Sequence, residues 1–197
     1  MTKTKFSLIP QYAFRDITDV SAGFLDELGI KFLMLDLDNT IAAYDEHVLS
    51  DNISQWASDI KNSGVELFII SNSTRRKRVE SHSESIGAEH IRESRKPSPR
   101  SLLLAMEGAG FDSGASALAG DQILTDTLAA NRAGVVSIIV RPRRFTNPFL
   151  ALRYFIEVPF RAMCKNKIGK EWCSTGSAAK EQTDSNENDK QKEESYK

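Results

Sequence analysis

Short apolar runs alternate along this chain with longer segments in which apolar residues recur every three or four positions. The apolar runs have the length of β-strands and lie at 31–36, 65–70, 115–119 and 135–140. Helical spacing is found before and between them, at 17–30, 53–64, 75–87, 98–109 and 124–133. Strands that alternate with helices in this way form a parallel sheet covered on both faces. The pattern therefore predicts an α/β domain with a three-layer, Rossmann-like core around a central parallel sheet.

Polar residues follow three of these strands at the point where each strand ends. They are Asp36-Leu37-Asp38-Asn39-Thr40, Ser71-Asn72 and Gly120-Asp121, and Lys96-Pro97 stands between the second and the third. In open α/β sheets, ligands bind beyond the carboxyl ends of the strands. We therefore expect these four segments to meet in one site.

Length and composition fit one globular domain with appendages. The chain has 197 residues, of which 40% are hydrophobic and 27% are charged. We divide it into an N-terminal lead-in (1–29), a core domain (30–146), a basic amphipathic segment (147–173) and a tail (174–197). The tail has almost no large apolar residues, so we expect it to be disordered. The formal net charge of -1 argues against a protein that coats nucleic acid.

The two cysteines, Cys164 and Cys173, are too few for a disulfide framework. Their number favours a reducing compartment. The apolar stretch near the N-terminus is too short for the core of a signal peptide, and no segment reaches the roughly 20 apolar residues of a membrane span. We therefore expect a cytoplasmic protein.

Two acids after the first apolar run suit phosphoryl transfer. A carboxylate at a strand end can attack phosphorus and form an aspartyl-phosphate, and Asp36 is placed for that role. Asp38 is placed to protonate the leaving alkoxide and then to deprotonate water. The alternative is that both acids cap a turn or the following helix, which is the common role of a lone Asp. The pattern Asp-x-Asp-x-Thr directly after an apolar strand favours the catalytic interpretation.

Hydroxyl, amide and ammonium groups in the same segments suit a phosphate. Thr40, Ser71 and Asn72 offer donors for phosphoryl oxygens, and Lys96 offers a compact cation that offsets charge on the transferring group. The alternatives are a helix N-cap for Ser71 and Asn72 and a solvated surface position for Lys96. The place of Lys96 in the series of segments favours the site.

Further carboxylates suit a metal ion. Mg²⁺ prefers oxygen ligands in octahedral geometry and usually takes one or two carboxylates from a protein. Asp36, Asp121 and the main-chain carbonyl of Asp38 form such a set, with Asp126 as a direct or water-mediated ligand. For Asp126, the alternative is a favourable contact with the positive end of the following helix.

Taken together, these segments resemble the haloacid dehalogenase (HAD) superfamily of phosphatases across residues 30–140. The resemblance implies three roles: nucleophile and acid/base for Asp36 and Asp38, phosphate binding for Ser71 and Lys96, and magnesium binding for Asp121 and Asp126. More narrowly, the extended segments around these residues are similar to class IIIA, the YqeG-type branch. That branch is related to mitochondrial phosphatidylglycerophosphate phosphatases.

The spacing of the segments leaves no room for a cap domain. Thirty residues separate Thr40 from Ser71 and 24 separate Ser71 from Lys96, and each gap must also hold a helix. We therefore expect an open site, which suits a phosphate presented on a membrane or a macromolecule.

The segment 147–167 is amphipathic, basic and aromatic. Arg153, Arg161 and Lys165 fall at fourfold spacing on one face, and apolar residues form another. Such a segment either lies in a membrane interface and attracts anionic lipid, or packs on the sheet with its arginines in solvent. The sequence leaves both arrangements open.

These observations predict a Mg²⁺-dependent phosphomonoesterase, cytoplasmic and peripherally bound at the inner face of the membrane. The resemblance implies phosphatidylglycerophosphate as the phosphorylated lipid substrate, and the basic segment predicts an anionic membrane surface as the partner. One alternative is a phosphatase for phosphoproteins or nucleic-acid ends, although the net charge argues against nucleic acid. The other is a non-catalytic HAD-fold module that binds phosphate. The sequence does not identify a protein partner.

Overall fold

The structure, a computed structural model, describes residues 6–144 and 148–167. The predicted disordered tail at 174–197 lies outside these residues, as does Cys173. Within them, the side chain of Cys164 is buried, and its Sγ lies 3.7 Å from the carbonyl oxygen of Gln11.

Seven strands and six α-helices make up the described chain. The strands are β1 (Tyr12–Ala13), β2 (Phe32–Leu35), β3 (Glu66–Ile70), β4 (Glu89–Ile91), β5 (Ser116–Gly120), β6 (Val136–Ile139) and β7 (Asn166–Lys167). The helices are α1 (Ala22–Glu27), α2 (Asp51–Asn62), α3 (Arg76–Ile86), α4 (Arg100–Ala109), α5 (Leu128–Ala133) and α6 (Pro148–Ala162). A π-helical turn, Ile123–Thr127, leads into α5.

The strands form a single parallel sheet in the order β4-β3-β2-β5-β6-β1-β7. Strand β2 lies between β3 and β5, and its Leu33 stands opposite Leu67 and Ala117. All strands point the same way, so the segments after β2, β3 and β5 reach the same edge of the sheet. This confirms the predicted α/β core.

Alternate residues of β2 enter two separate cores, one on each face of the sheet. Leu33 and Leu35 pack in a cluster with Trp56 of α2, whereas Phe32 and Met34 pack in another cluster with residues of α4 and α5. A strand buried on both faces needs apolar side chains at every position, which explains the unbroken apolar run. The three-layer arrangement follows from these two cores.

A loop over residues 36–50 leads from β2 into α2, and a shorter loop over residues 71–75 leads from β3 into α3. In the described residues, no separate cap domain is present, as predicted from the spacing. Three short strands escaped prediction: β1 lies between β6 and β7, β7 forms one edge of the sheet, and β4 forms the other. Each has only two or three residues, and a run so short carries no detectable periodicity.

Helix α6 turns its polar face inward and its apolar face outward. Glu157 and Arg161 are 1% and 2% exposed, whereas Phe149 and Phe155 are 83% and 75% exposed. The same outer face carries Leu152 and Ile156, which are also exposed, and Met163, just after the helix, is exposed as well. The expectation that a packed helix would leave its arginines in solvent is therefore wrong for Arg161. Among the described residues, none of the helices combines the length and the apolar content needed to cross a membrane.

Candidate active site

The loop after β2 folds back on itself and brings two predicted site residues into contact. Asn39 adopts a left-handed backbone with φ of 64°, which Asn tolerates better than most residues. Its N–H donates to the carbonyl of Ala42 at 2.7 Å, which closes the turn. The Thr40 hydroxyl therefore lies within reach of Asp36 and donates to its Oδ2 at 3.3 Å.

Lys96 is the buried cation of the site. Its Nζ lies 2.6 Å from Asp36 Oδ1 and 2.8 Å from Asp126 Oδ1, and it donates to the carbonyl of Ile70 at 2.7 Å. Burial alone would lower the pKa of Lys96, but the charges of Asp126 and Asp36 outweigh it and raise the pKa. Lys96 therefore stays protonated, and a solvated surface position is excluded.

Asn72 holds the segment that carries Lys96. Its Oδ1 accepts from the Lys96 N–H at 2.9 Å and from the Ser94 hydroxyl at 2.7 Å, and its Nδ2 donates to the Lys96 carbonyl at 3.1 Å. Next to it, Ser71 is buried, and its hydroxyl oxygen accepts from the Ser73 N–H at 3.0 Å. Phosphate binding by Asn72 and Ser71 stays a prediction, while the positioning of Lys96 by Asn72 is a feature that the sequence did not indicate.

Three carboxylates converge beside Lys96. Oxygen atoms of Asp36, Asp121 and Asp126 all lie within 4.8 Å of one another, and each residue is buried. Burial raises the pKa of Asp36 to about 7, although the charge of Lys96 acts to lower it. Burial, together with the charges of Asp36 and Asp126, raises the pKa of Asp121 well above its usual range.

This acidic cluster fits a divalent cation. One lysine cannot balance three buried carboxylates, and Asp121 Oδ1 is buried with no hydrogen-bond partner in the described chain. Oxygen donors of this kind are the ligands that Mg²⁺ prefers. Asp36, Asp121 and Asp126 are the residues that would hold the ion, and an interpretation of Asp126 as a helix cap alone does not explain its ion pair with Lys96.

Asp38 lies outside the acidic cluster and pairs with an arginine. Its Oδ1 accepts from Arg78 at 3.1 Å (Nη2) and 3.3 Å (Nε). Arg78 is 8% exposed and is fixed in turn by the carbonyls of Ala43 and Glu46. Sequence reasoning missed Arg78 because it lies in the run Arg75-Arg76-Lys77-Arg78 of α3, in which nothing distinguishes the buried residue.

These side chains surround a cavity of about 170 Å³. The predicted residues at its wall are Asp36, Asp38, Asn72, Lys96 and Asp126. Tyr44, Gln122, Thr125 and Arg153 complete the wall, and none of these four was among the predicted site residues. Burial and the charge of Asp38 raise the pKa of Tyr44 to about 12, so this phenol stays neutral at physiological pH.

Comparison with known proteins agrees with this geometry. The family described as HAD-hydrolase-like matches residues 93–147, which include Lys96, Asp121 and Asp126. The probable phosphatase YqeG of Bacillus subtilis is 30% identical over 142 residues, which cover 72% of this chain and 82% of YqeG. The chain belongs to the YqeG family of HAD-like phosphatases. Among solved structures, a hypothetical protein from Xanthomonas campestris has a similar fold, with a TM-score of 0.50. It is 15% identical in sequence, and the match covers 71% of the YqeG-family chain and 78% of the Xanthomonas protein.

Asp121→Asn tests whether the acidic cluster is a metal site. Removing one of three crowded, buried charges should stabilise the metal-free YqeG-family protein by about 1–2 kcal/mol, which corresponds to a few degrees in Tm. We expect Mg²⁺ to raise the Tm of the wild type, and the same change should abolish this rise. Thermal unfolding in chelator and in Mg²⁺ measures both effects. Asp59→Asn, an exposed carboxylate on α2, is the control and should change neither. A destabilised Asp121→Asn protein that still responds to Mg²⁺ would contradict the assignment.

Gly120→Ala tests whether Asp126 must stay where it is. A Cβ at Gly120 would lie 2.6 Å from the Cβ of Asp126, so the side chain that pairs with Lys96 must shift from its position. We expect Mg²⁺ affinity and phosphatase activity to fall by about 10- to 100-fold, the usual cost of disturbing groups that orient a metal site. Isothermal titration and initial rates measure the two quantities. Gly108→Ala on α4 meets no atom within 4 Å and serves as the control. Equal activity of the two variants would show that the position of Asp126 is unimportant.

Proposed function

We propose that this chain is a Mg²⁺-dependent phosphomonoesterase that dephosphorylates phosphatidylglycerophosphate to phosphatidylglycerol. The observation that carries the catalytic part is the buried contact of Asp36 with Lys96 beside two further carboxylates. The lipid part is supported by the sequence resemblance to a branch related to phosphatidylglycerophosphate phosphatases, by the small size of the cavity and by the outward apolar face of α6.

The proposed reaction uses two carboxylates in turn. An oxygen of Asp36 attacks phosphorus and forms an aspartyl-phosphate, while Lys96 offsets the charge that builds on the phosphoryl oxygens. Asp38 donates a proton to the oxygen of the departing alcohol and then accepts a proton from the water that hydrolyses the aspartyl-phosphate. Arg78 holds one oxygen of Asp38, Oδ1, outside the acidic cluster, so we assign these two transfers to the other oxygen, Oδ2. A bound Mg²⁺ would supply Lewis-acid polarisation of the phosphate.

The composition of the site favours catalysis over phosphate binding alone. A binding module needs the lysine and the N–H donors, but it gains nothing from a carboxylate that repels the phosphate. Here Asp36 lies at the cavity wall, and its charge costs free energy because it is buried near Asp121 and Asp126. Such a costly group is expected where it reacts.

The cavity admits a phosphate group but not a whole substrate molecule. Pockets that enclose small-molecule ligands usually have volumes of about 300–1,000 Å³, whereas this cavity measures about 170 Å³. The rest of the substrate must therefore remain outside. This favours a phosphate that is presented on a larger body, such as a lipid bilayer.

The exposed apolar face of α6 supplies a surface for that body. Phe149 and Phe155 stand on this face, and Arg153, on the same helix, reaches the wall of the cavity. A contiguous apolar surface of this kind marks a contact with a membrane or a partner. We assign it to an anionic bilayer, because the helix that would lie in the interface is the helix that borders the site where the headgroup must enter.

Asp36→Asn tests the catalytic assignment and the substrate together. Phosphate release from phosphatidylglycerophosphate in mixed micelles with Mg²⁺ should fall by at least about 1,000-fold, because the nucleophile is lost. Turnover of a soluble phosphate ester should fall equally, and Asp59→Asn should match the wild type. Activity that survives in Asp36→Asn would contradict the nucleophile.

The ratio of the wild-type turnover rates for the two substrates tests whether the lipid is the substrate. A strong preference for the micellar lipid supports the proposal. Weak turnover of both substrates would overturn the lipid and point to phosphoproteins or nucleic-acid ends, and the absence of any turnover would favour the binding module.

The double variant Phe149→Ser/Phe155→Ser tests the membrane surface. Wild-type protein should sediment with vesicles of phosphatidylglycerol and phosphatidylcholine, and the variant should lose most of this binding because two large apolar side chains leave the interface. Hydrolysis of a soluble ester should be unchanged. The control is Leu103→Ser/Leu104→Ser, which removes an exposed apolar pair from α4. Unchanged vesicle binding in the α6 variant would contradict the assignment. If the wild type were a dimer and only the α6 variant were a monomer, the apolar face would instead bind a second copy of the chain.

A further inference from the structure

Arg153 stands at a different level of the cavity from the reacting groups. The side chain of Lys96 is 1% exposed and touches Asp36 at the inner end of the site. The side chain of Arg153 is 31% exposed and lies on the cavity wall together with Tyr44 and Thr125. Two cations thus line one cavity, one at the floor beside the nucleophile and one toward the mouth.

The Arg153 guanidinium is held in place by its surroundings. Its Nη2 donates to the Thr125 hydroxyl at 3.3 Å, and its Nε donates to Glu157 Oε1 at 3.4 Å. In the described part of the chain, only these two of its five N–H groups have a protein acceptor, so the remaining donors suit an anion in the cavity. A fixed guanidinium loses little conformational entropy when it binds such an anion.

Glu157 is itself anchored and ties α6 to the site. It accepts from the Leu124 N–H at 3.2 Å and pairs with Arg161 at 3.3 Å, while Arg161 donates to the carbonyls of Val140 and Asp121. The helix is therefore fastened to the turn that carries Asp126. Arg153 consequently keeps a defined position relative to Asp121, although it comes from a segment far along the chain.

A charge that only completed an ion pair with Glu157 would not need to be at the cavity wall. Arg161 already pairs with Glu157 from a buried position, so the charge of Arg153 is not needed for that pair and is available to an anion in the cavity. The transferred phosphate meets Lys96 at the floor. The additional charge toward the mouth therefore faces the part of the substrate that remains outside the reacting centre.

We propose that Arg153 binds a second anionic group of the substrate, one that stays on the alcohol after the phosphate has been transferred. The substrate class is then a phosphate monoester whose alcohol carries a phosphodiester or another phosphate a few bonds away. This inference rests on the proposed phosphomonoesterase function and names the chemistry that sets its specificity. Arg153 is a specificity-determining residue, and Glu157 is the residue that positions it.

A pair of soluble substrates isolates this role from membrane binding. Glycerol 1,3-bisphosphate carries the second anion, and glycerol 3-phosphate lacks it. For Arg153→Gln, kcat/KM for the bisphosphate should fall by about 10- to 100-fold, the usual effect of losing a charge-assisted hydrogen bond. For the monophosphate it should change less than about twofold, because Arg153 does not contact the transferred phosphate. Arg153→Lys should recover only part of the loss, since it keeps the charge but not the planar fork.

Binding without turnover gives an independent measurement. In Mg²⁺, calorimetry should show that Asp36→Asn binds the bisphosphate more tightly than the monophosphate, and that adding Arg153→Gln removes the difference. Arg76→Gln, which deletes a surface arginine on α3, is the control and should not affect either ligand.

The outcomes separate this inference from the function on which it rests. Equal losses for both substrates in Arg153→Gln would make Arg153 a structural residue and overturn the inference while the phosphatase stands. The inference would also be overturned if the wild type preferred neither the bisphosphate nor phosphatidylglycerophosphate over monophosphates. Wild-type protein could instead prefer the lipid but not the soluble bisphosphate. If Arg153→Gln abolished that preference for the lipid, the second anion would be the lipid phosphodiester. Absence of hydrolysis in every protein would instead overturn the proposed function.

Discussion

The contact of Lys96 with Asp36 and Asp126 is the interaction on which the site depends. Buried charges are tolerated only when they are paired, and a single ammonium group here serves two carboxylates and the carbonyl of Ile70. The pairing joins the ends of β2 and β3 to the turn after β5, so the same charges that suit phosphoryl transfer also fix the relative positions of three segments. Asp121 Oδ1 is buried without a hydrogen-bond partner among the described residues, which is the physical reason to expect a cation.

Polar groups at this edge of the sheet also determine how α6 packs in the outer layer of the fold. Helix α6 would bury its apolar face if it packed on an ordinary hydrophobic surface. It packs instead beside the carboxyl ends of the strands, where carbonyl groups of Asp121 and Val140 need donors, and Arg161 supplies them. The apolar face is then left outside. An active site at the edge of the sheet thus creates an exposed apolar surface next to its own entrance.

Local patterns were sufficient to predict the strands β2, β3, β5 and β6 and the residues that gather at the ends of three of them. The unbroken run Phe32–Leu35 marks a strand buried on both faces, and Asp36 follows because the strand ends there. Long-range partners left no such signal. Arg78, Tyr44 and Arg153 reach the site from α3, a loop and α6, and each looks like an ordinary surface residue in the sequence. The roles of the site residues in the reaction stay predictions, because geometry shows which groups meet and not which bonds they form.

The most direct test of the central claim is to trap the covalent intermediate during turnover. Sodium borohydride reduces an aspartyl-phosphate to the alcohol, so a nucleophilic Asp36 would be converted to homoserine, which peptide mass spectrometry detects. We expect this conversion at residue 36 in wild-type protein that is quenched while hydrolysing substrate, and none when substrate is omitted. Reduction at another residue, or an unmodified Asp36 during demonstrated hydrolysis, would contradict the claim that Asp36 attacks phosphorus.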